Sequence, residues 1–484
     1  MGGPADSAPP AGHGESPGAS AIGPVHCAPP MPADVDPLER RLLAHPHLLG
    51  DIAAAVGGPF HVLFPERVAR NVTAFHEAFR AAGVDGFVYF GKKANKAACV
   101  ARACAESGAG IDVASVGELV AALAQGVRGE DLMVTGPAKS DELLWLAVRH
   151  GSTIAIDALD ELARLTRICA GHDQISRSTP PTRTGGPTPA GRPARILLRI
   201  QPDGSTSRFG LDRAELAQAL RSAPAGGPVL LSGFSFHLSG YDATARADLA
   251  ATLVEHCVRA RADGHLADTI SIGGGFGVDY LDAGSWTRFR DTSSEKWFHG
   301  RAPGQDYYPY HFPVPGAAML TAVLAHNRLA EALRTNGIRL SIEPGRALLD
   351  RAGSSIFRVQ GGKTRTAHGE PYDILTVDGT SLSLSEQWFD SEYLPDPVLW
   401  PARPGTITAS CVGATTCLES DLLSRRRIPL PRRAQVGDLL VYPNTAGYQM
   451  DSNESTFHEL PLPPKVVVRE VDGRPGWSLD ATAR

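Results

Sequence analysis

Between about residue 60 and residue 345, short apolar runs rich in β-branched and aromatic residues alternate with segments whose apolar positions recur at helical spacing. GFVYF precedes KAACVARACAESG, IDVAS precedes VGELVAALAQG, DLMVT precedes SDELLWLAVRHG, and TIAID precedes LDELARLTRICAG. RILLRI, VLLSGFSFHL with a helix through residue 262, TISIGG and RLSIE continue the series. Strand–helix units of this period predict parallel strands, and about eight of them predict a closed α/β barrel of the TIM type. From about residue 353 the pattern changes to strand-like runs broken by Pro and Gly (SIFRVQ, YDILTVDG, TITASCVG, GDLLVYP, PPKVVVRE), which predicts a C-terminal β-domain.

The expected organisation is a disordered tail over 1–35, an N-terminal segment over 36–63 that joins the β-domain, the barrel over 64–345 and the β-domain over 346–484. Pro, Gly, Ala and Ser dominate the tail and cannot bury enough apolar area to offset the entropy of ordering. The same composition marks a flexible insertion in the barrel over 174–193.

Composition removes several function classes. With 47 Lys and Arg against 52 Asp and Glu, the net charge is −5 without long like-sign runs, which gives no electrostatic case for nucleic acid. The seven cysteines include no CxxC pair, so neither a disulfide framework nor a zinc knuckle is expected, and no metal site. There is no apolar run of about 18 residues and no secretory pattern at the N-terminus, so a cytoplasmic protein without a membrane span is expected.

In such a barrel, chemistry belongs to the C-terminal ends of the strands. The first strand ends in FVYFGKKANK, and period-2 alternation puts Tyr89, Gly91 and Lys93 on one face and Phe90 and Lys92 on the other. One lysine must therefore point inward. SIGGGFGVDY follows another strand, and amides freed by Gly273, Gly274 and Gly275 can converge on a phosphate. The spacing is not the dinucleotide GxGxxG, and the turn comes late in the chain, which disfavours a nicotinamide fold. LSIEPGRALL places Glu343 and Arg346 at the same rim, and GFSFHLSGY places His237 there. Singly, each has a plain structural reading: a solvated lysine, a tight turn, a surface ion pair, a hydrogen-bonded core histidine. Together they describe a site in which a carboxylate faces a ring nitrogen and cationic and backbone groups face a phosphate.

This set resembles the alanine racemase-like family of pyridoxal-5′-phosphate (PLP) enzymes, in the branch containing diaminopimelate, ornithine and arginine decarboxylases. The resemblance runs from about Phe60 to Arg469 through Lys93–Asn95, GAGIDVASVGEL with Asp112 and Glu118, TGPAKS, IDALDEL, SRFG, GGGFG and EPGR. In the β-domain it continues through VDGT, GATTCLESD and GDLLVYPNTAGYQM. It implies PLP as cofactor and selects Lys93 over Lys92 as the Schiff-base lysine. It further implies cofactor contacts from Asp112, Arg199, His237, Gly273, Gly274, Gly275, Glu343, Gly345, Arg346 and Tyr448. His237 would stack on the ring, Cys417 would return a proton to Cα, and Asp378 and Glu419 would meet the substrate. A head-to-tail homodimer is implied, in which the Cys417 segment completes the other subunit's site and Arg208 pairs with Asp421 across the interface.

The departures bear on substrate. The chain reads His237-Leu238-Ser239-Gly240 where the family commonly has H-x-G-S, and Leu418 follows the cysteine where an acid is usual, with Glu419 one step later. No arginine follows Asp378 to hold a distal carboxylate. The expected function is therefore PLP-dependent decarboxylation of a non-standard or larger amino acid, with the aromatic-rich stretch 286–312 as a lid, a substrate wall or a structural element. A racemase or epimerase, and a non-catalytic binding relative, are the alternatives. Retention of Lys93, the glycines, Glu343 and Cys417 speaks against the last.

Overall fold

The computed structural model describes residues 27–170, 193–302, 307–384 and 392–480. The expected insertion lies outside these residues, apart from Pro193 at the entrance to a barrel strand. The first strand, β1 (Phe60–Leu63), is followed by β2 (Gly86–Gly91), β3 (Gly110–Val113), β4 (Leu132–Val134), β5 (Thr153–Ile156), β6 (Ala194–Arg199), β7 (Val229–Ser235), β8 (Thr269–Ser271) and β9 (Arg339–Ile342). Strands β2 to β9 form a closed barrel, sealed where β9 pairs in parallel with β2 at Val88↔Ile342.

Alternation along β2 explains how the barrel fills. Phe87 and Tyr89 pack with Met133 and Leu197 inside it, whereas Val88 and Phe90 join the core beneath the surrounding helices. Helix Pro65–Ala82 supplies Val68, Val72, Phe75 and Phe79 from one face to that core. Phe79 lies so close over the entrance of β2 that a Cβ on Gly86 would come within 2.1 Å of its ring. Only glycine fits there.

The β-domain contains β10 (Gly353–Ala367), β11 (Glu370–Val377), β12 (Val398–Trp400), β13 (Thr408–Gly413), β14 (Leu422–Leu430), β15 (Leu439–Tyr442), β16 (Lys465–Val471) and β17 (Arg474–Leu479). Its nine-stranded sheet runs β14-β13-β11-β10-β1-β16-β17, with β15 pairing β10 and β12. Strand β1 thus leaves the barrel side of the chain and inserts between β10, antiparallel, and β16, parallel. Helices Pro37–Ala44 and Leu48–Val56 cover it, packing Leu38, Leu42, Leu49 and Ile52 onto Val441, Val466 and Val468.

One expectation needs correction. Residues 1–26 lie outside the described residues, but residues 27–35 of the expected tail are packed. Met31 is fully buried and its amide donates to Asp396 Oδ2 at 2.7 Å, and Ala28 donates to the Arg427 carbonyl at 3.1 Å. Bonds to the β-domain supply what the local composition lacks.

Glu39 is buried under this region; Ser354 Oγ donates to one oxygen, and the other has no partner among the described residues. Burial, with nearby Asp36 adding to it, pushes the carboxyl from 4.5 up to about 7. A carboxyl whose folded-state pKa is raised holds its proton more tightly when folded, so its contribution is intact below about pH 4.5 and is lost as pH rises through about 7. Glu39→Gln is therefore expected to exceed the unaltered protein in urea stability by about 1–3 kcal/mol at pH 8, with little or no gain at pH 4. A gain that does not grow with pH would refute the assignment.

Candidate active site

The C-terminal ends of the barrel strands open into two adjoining chambers that share Lys93, His237, Ser239 and Glu343. The larger, about 540 Å³, reaches Asp112, Glu118, Thr135, Arg199, Ser207 and Phe209. The smaller, about 290 Å³, reaches Gly274, Gly275, Tyr308, Gly345, Arg346 and Tyr448.

Lys93 sits at the junction because β2 stops at Gly91 and Lys92–Ala94 forms a single 3-10 turn. Strand alternation ends with the strand, so the turn, not the parity, separates the two lysines. Lys92 is buried, and its Nζ donates to the Lys96 carbonyl at 3.3 Å. Lys93 points into the mouth. The β-domain clamps this turn: Tyr448 N donates to Ala94 O at 2.8 Å, Asn95 Nδ2 to Ala446 O at 2.8 Å, and Lys96 N to Asp451 Oδ2 at 2.6 Å. The barrel alone would leave the lysine on a short free loop.

Two acids flank Lys93, each oriented by a hydroxyl. Thr135 Oγ1 donates to Asp112 Oδ1 at 2.5 Å and Ser271 Oγ to Glu343 Oε1 at 2.5 Å. Burial raises the Asp112 carboxyl, Glu343 adds to the rise, and Lys93 opposes it. Glu343 is likewise raised by desolvation, against the bond from Ser271 and the charge of Lys93. For Lys93, desolvation is outweighed by Asp112, Tyr448 and Glu343, so its ammonium is held above the ordinary range. His237 is brought down to about 4 by desolvation and by the cations Lys93, Arg199 and Arg246. It is therefore neutral, and its Nδ1 accepts from the Gly274 amide at 3.3 Å, which leaves the ring proton on Nε2.

The glycine turn differs from expectation. Gly273 lies beneath the chamber; a Cβ there would meet His237 Nδ1 at 2.6 Å, its φ is +65°, and its amide turns back to Ser271 Oγ at 3.4 Å. With Gly274 bonded to His237, two of the three amides thought to be free already have partners. Gly274, Gly275 and Gly345 do line the smaller chamber. A Cβ on Gly345 would come within 2.7 Å of the Tyr448 hydroxyl, so this cradle exists only because side chains are absent.

Residues 66–299 match the pyridoxal binding domain of the pyridoxal-dependent decarboxylases. An uncharacterized protein of Sinorhizobium fredii is 34% identical over 90% of this chain and 93% of its own length. The diaminopimelate decarboxylase of Actinosynnema pretiosum is 28% identical over 90% of each chain. The crystal structure of diaminopimelate decarboxylase from M. jannaschii, in complex with L-lysine, superposes with a TM-score of 0.68 at 17% identity over 92% of this chain and 94% of that one. The chain belongs to the fold type III PLP-dependent decarboxylase family.

Its cofactor is pyridoxal 5′-phosphate, and the residues present fit that group. A phosphate is matched by the glycine cradle with Arg346, a pyridine nitrogen by the half-buried Glu343, and an aldehyde carbon by Lys93. Arg199 borders the larger chamber, bonded to Asp157 Oδ1 at 3.2 Å with its guanidinium 4.6 Å from the centre of the Phe209 ring.

Other family positions are not brought together within one chain. Cys417 and Glu419 are exposed and line neither chamber, and Cys417 Sγ lies 3.3 Å from His458 Nε2. Asp378 is engaged in the β-domain, where Oδ1 accepts from the Arg358 amide at 2.8 Å and Oδ2 crowds Gly58. Asp421 is 3% exposed and accepts from Ser381 N and Thr416 Oγ1 at 2.9 and 2.6 Å. Both of its carboxylate oxygens thus accept a hydrogen bond from within the chain. The stretch 286–312 is mostly core and clamp: Trp286 and Phe289 are buried, and His299 N donates to the Arg425 carbonyl of β14 at 2.7 Å. Among its described residues only Tyr308 reaches a chamber. Thr135, Ser271 and Tyr308 were not foreseen. The first two sit at strand ends inside the recognised segments, whereas nothing local marks Tyr308.

Proposed function

We propose that this chain removes the α-carboxyl group of an amino acid as CO2, with Lys93 as the lysine that carries the cofactor. The observation that carries the reading is Lys93 itself, a cation at the junction of two chambers with two oriented acids on one side and a glycine–arginine cradle on the other. PLP, when bound, supplies an electron sink for the pair left at Cα. Glu343 holds a proton at the ring nitrogen, since a desolvated carboxylate is stabilised by a cationic partner. Neutral His237 offers a flat face for stacking, and Arg346 neutralises phosphate charge.

In this reading two chains form a head-to-tail homodimer, and Cys417 enters the partner's chamber to return a proton to Cα. Membership of the family and the exposed position of Cys417, outside its own chain's chambers, support this arrangement. Among the described residues no helix is long and apolar enough to cross a membrane.

The larger chamber disfavours a distal ammonium. Glu118 Oε2 already accepts the Ala114 amide at 2.8 Å, and Asp157 is taken by Arg199. The outer wall is instead made of Ser205, Thr206, Ser207 and Phe209. Leaving an ammonium unpaired there costs several kcal/mol, on the order of a thousandfold in discrimination. We expect weak turnover of free ornithine, lysine and meso-diaminopimelate, and preference for a larger amino acid with a neutral polar distal part. A panel assay in D2O, reading CO2 and Cα deuterium by mass spectrometry, tests both points. Decarboxylation yields CO2 and one deuteron per product, whereas deuterium without mass loss would make the protein a racemase. A kcat/KM above about 10⁴ M⁻¹s⁻¹ for any of the three diamino acids would overturn the specificity.

A further inference from the structure

Arg246 is fully buried in the first turn of helix Ala243–Ala262, directly behind the glycine turn. A Cβ on Gly275 would come within 2.0 Å of its Nη2, so the backbone approaches the guanidinium only because that residue is glycine. Among the described residues its hydrogen bonds go to main-chain carbonyls and none goes to a carboxylate. Nε donates to Gly274 O at 3.3 Å, Nη1 to Asp242 O at 3.1 Å, and Nη2 to Leu238 O at 3.0 Å and Gly240 O at 2.7 Å. The Asp242 side chain is spent on the helix cap, accepting from Thr244 N at 2.8 Å and Ala245 N at 3.1 Å. A buried cation without an ion-pair partner is costly, so one kept beside a chamber favours an anion there.

The carbonyls that Arg246 takes decide where the neighbouring amides point. In a trans peptide the carbonyl and the N–H of the next residue face opposite ways, and the cis bonds among the described residues are Gly58–Pro59 and Trp400–Pro401. The amides of Ser239, Tyr241 and Gly275 are therefore turned away from Arg246, and all three residues line the smaller chamber. Ser239 N and Gly275 N have no hydrogen-bond partner among the described residues. The Ser239-Gly240 order fits this turn, because Gly240 has φ +76°, where a serine would be strained. With the amides of Gly273 and Gly274 already engaged, Gly275 is the member of the glycine turn left to meet a ligand.

We propose that Arg246 is a positioning residue for the cofactor phosphate. By holding the carbonyls of Leu238, Gly240 and Gly274 it turns the Ser239 and Gly275 amides onto the phosphate monoester, and its buried charge stands behind them. The proposal rests on the phosphate occupying the smaller chamber, as in the function proposed above.

Full-length protein loaded with PLP or with pyridoxal, which lacks only the phosphate, tests it without any turnover. Hydrogen exchange at the Ser239 and Gly275 amides, resolved residue by residue, is expected to slow by about tenfold or more with PLP relative to pyridoxal. Arg246→Met removes both the fork and the charge. It is expected to raise the Kd for PLP by about a hundredfold, the factor for two hydrogen bonds to a charged acceptor, and that for pyridoxal by less than about threefold. Arg246→Lys keeps the charge without the planar fork and is expected to raise the PLP Kd by about tenfold. Melting of each variant reports its fold, and the exchange measurement on the unaltered protein decides even where a variant does not fold. Unchanged exchange at both amides, equal losses for PLP and pyridoxal in folded Arg246→Met, or a PLP Kd for Arg246→Lys within about twofold of the unaltered protein would overturn the role of Arg246. Equal affinity of the unaltered protein for both ligands would instead overturn the placement of the phosphate, and the proposal with it.

Discussion

Lys93→Ala is expected to abolish covalent attachment of PLP and to lower turnover by about 10³-fold or more, whereas Lys92→Ala is expected to leave attachment largely intact. The two side chains are adjacent in sequence and opposite in environment. Lys93 borders both chambers, with Asp112 and Glu343 raising its pKa against desolvation. Lys92 is 3% exposed and tied to the Lys96 carbonyl, and burial lowers its pKa despite nearby Glu118 and Asp451. Its removal costs packing of a buried aliphatic stem, about 1–3 kcal/mol, and no chemistry. Borohydride reduction followed by peptide mapping decides the matter. A phosphopyridoxyl group on any lysine other than Lys93 would sink the site as described.

Cys417→Ala is expected to be comparably inactive and yet rescuable by another inactive chain. Cys417 lies on an exposed turn of the β-domain that lines neither chamber of its own chain, with Leu418 38% exposed beside it. If it acts, it acts on a partner. Mixing Lys93→Ala with Cys417→Ala chains under subunit exchange would put an intact Lys93 and an intact Cys417 at one of the two sites of each hybrid. Random exchange then restores about a quarter of the activity. Exchange demonstrated by mass spectrometry without any recovery would exclude a shared site. Asp421→Ala should fail for a different reason, by leaving Ser381 N and Thr416 unpaired, and should show as lost stability of the chain.

Much of the architecture was legible in the pattern of residues. Eight apolar runs between Phe87 and Glu343 marked the eight barrel strands, because strands buried on both faces need continuous apolar stretches and their ends fall where those stretches stop. Lys93, His237, the glycines, Glu343 and Arg346 could be assigned to one rim on that ground alone. The family motifs then linked them to a single cofactor.

What remained depends on groups far apart in sequence. Alternation along β2 agreed with the choice of Lys93, but a 3-10 turn pinned by Ala446, Tyr448 and Asp451 is what separates it from Lys92. Those contacts span more than 350 positions and leave no local trace. Asp378 and Asp421 bear the right side chains for recognition but spend them on backbone amides of the β-domain. Residues 27–35 look too proline-rich to order, yet pack because Asp396 and Arg427 meet their backbone. Tyr308 sits in an aromatic run whose other described members are largely core and clamp, and only its docking beside Arg346 singles it out. Periodicity and motif report what each segment buries and which chemistry it carries. Which polar group is left facing a cavity is decided by partners that the folded chain brings from elsewhere.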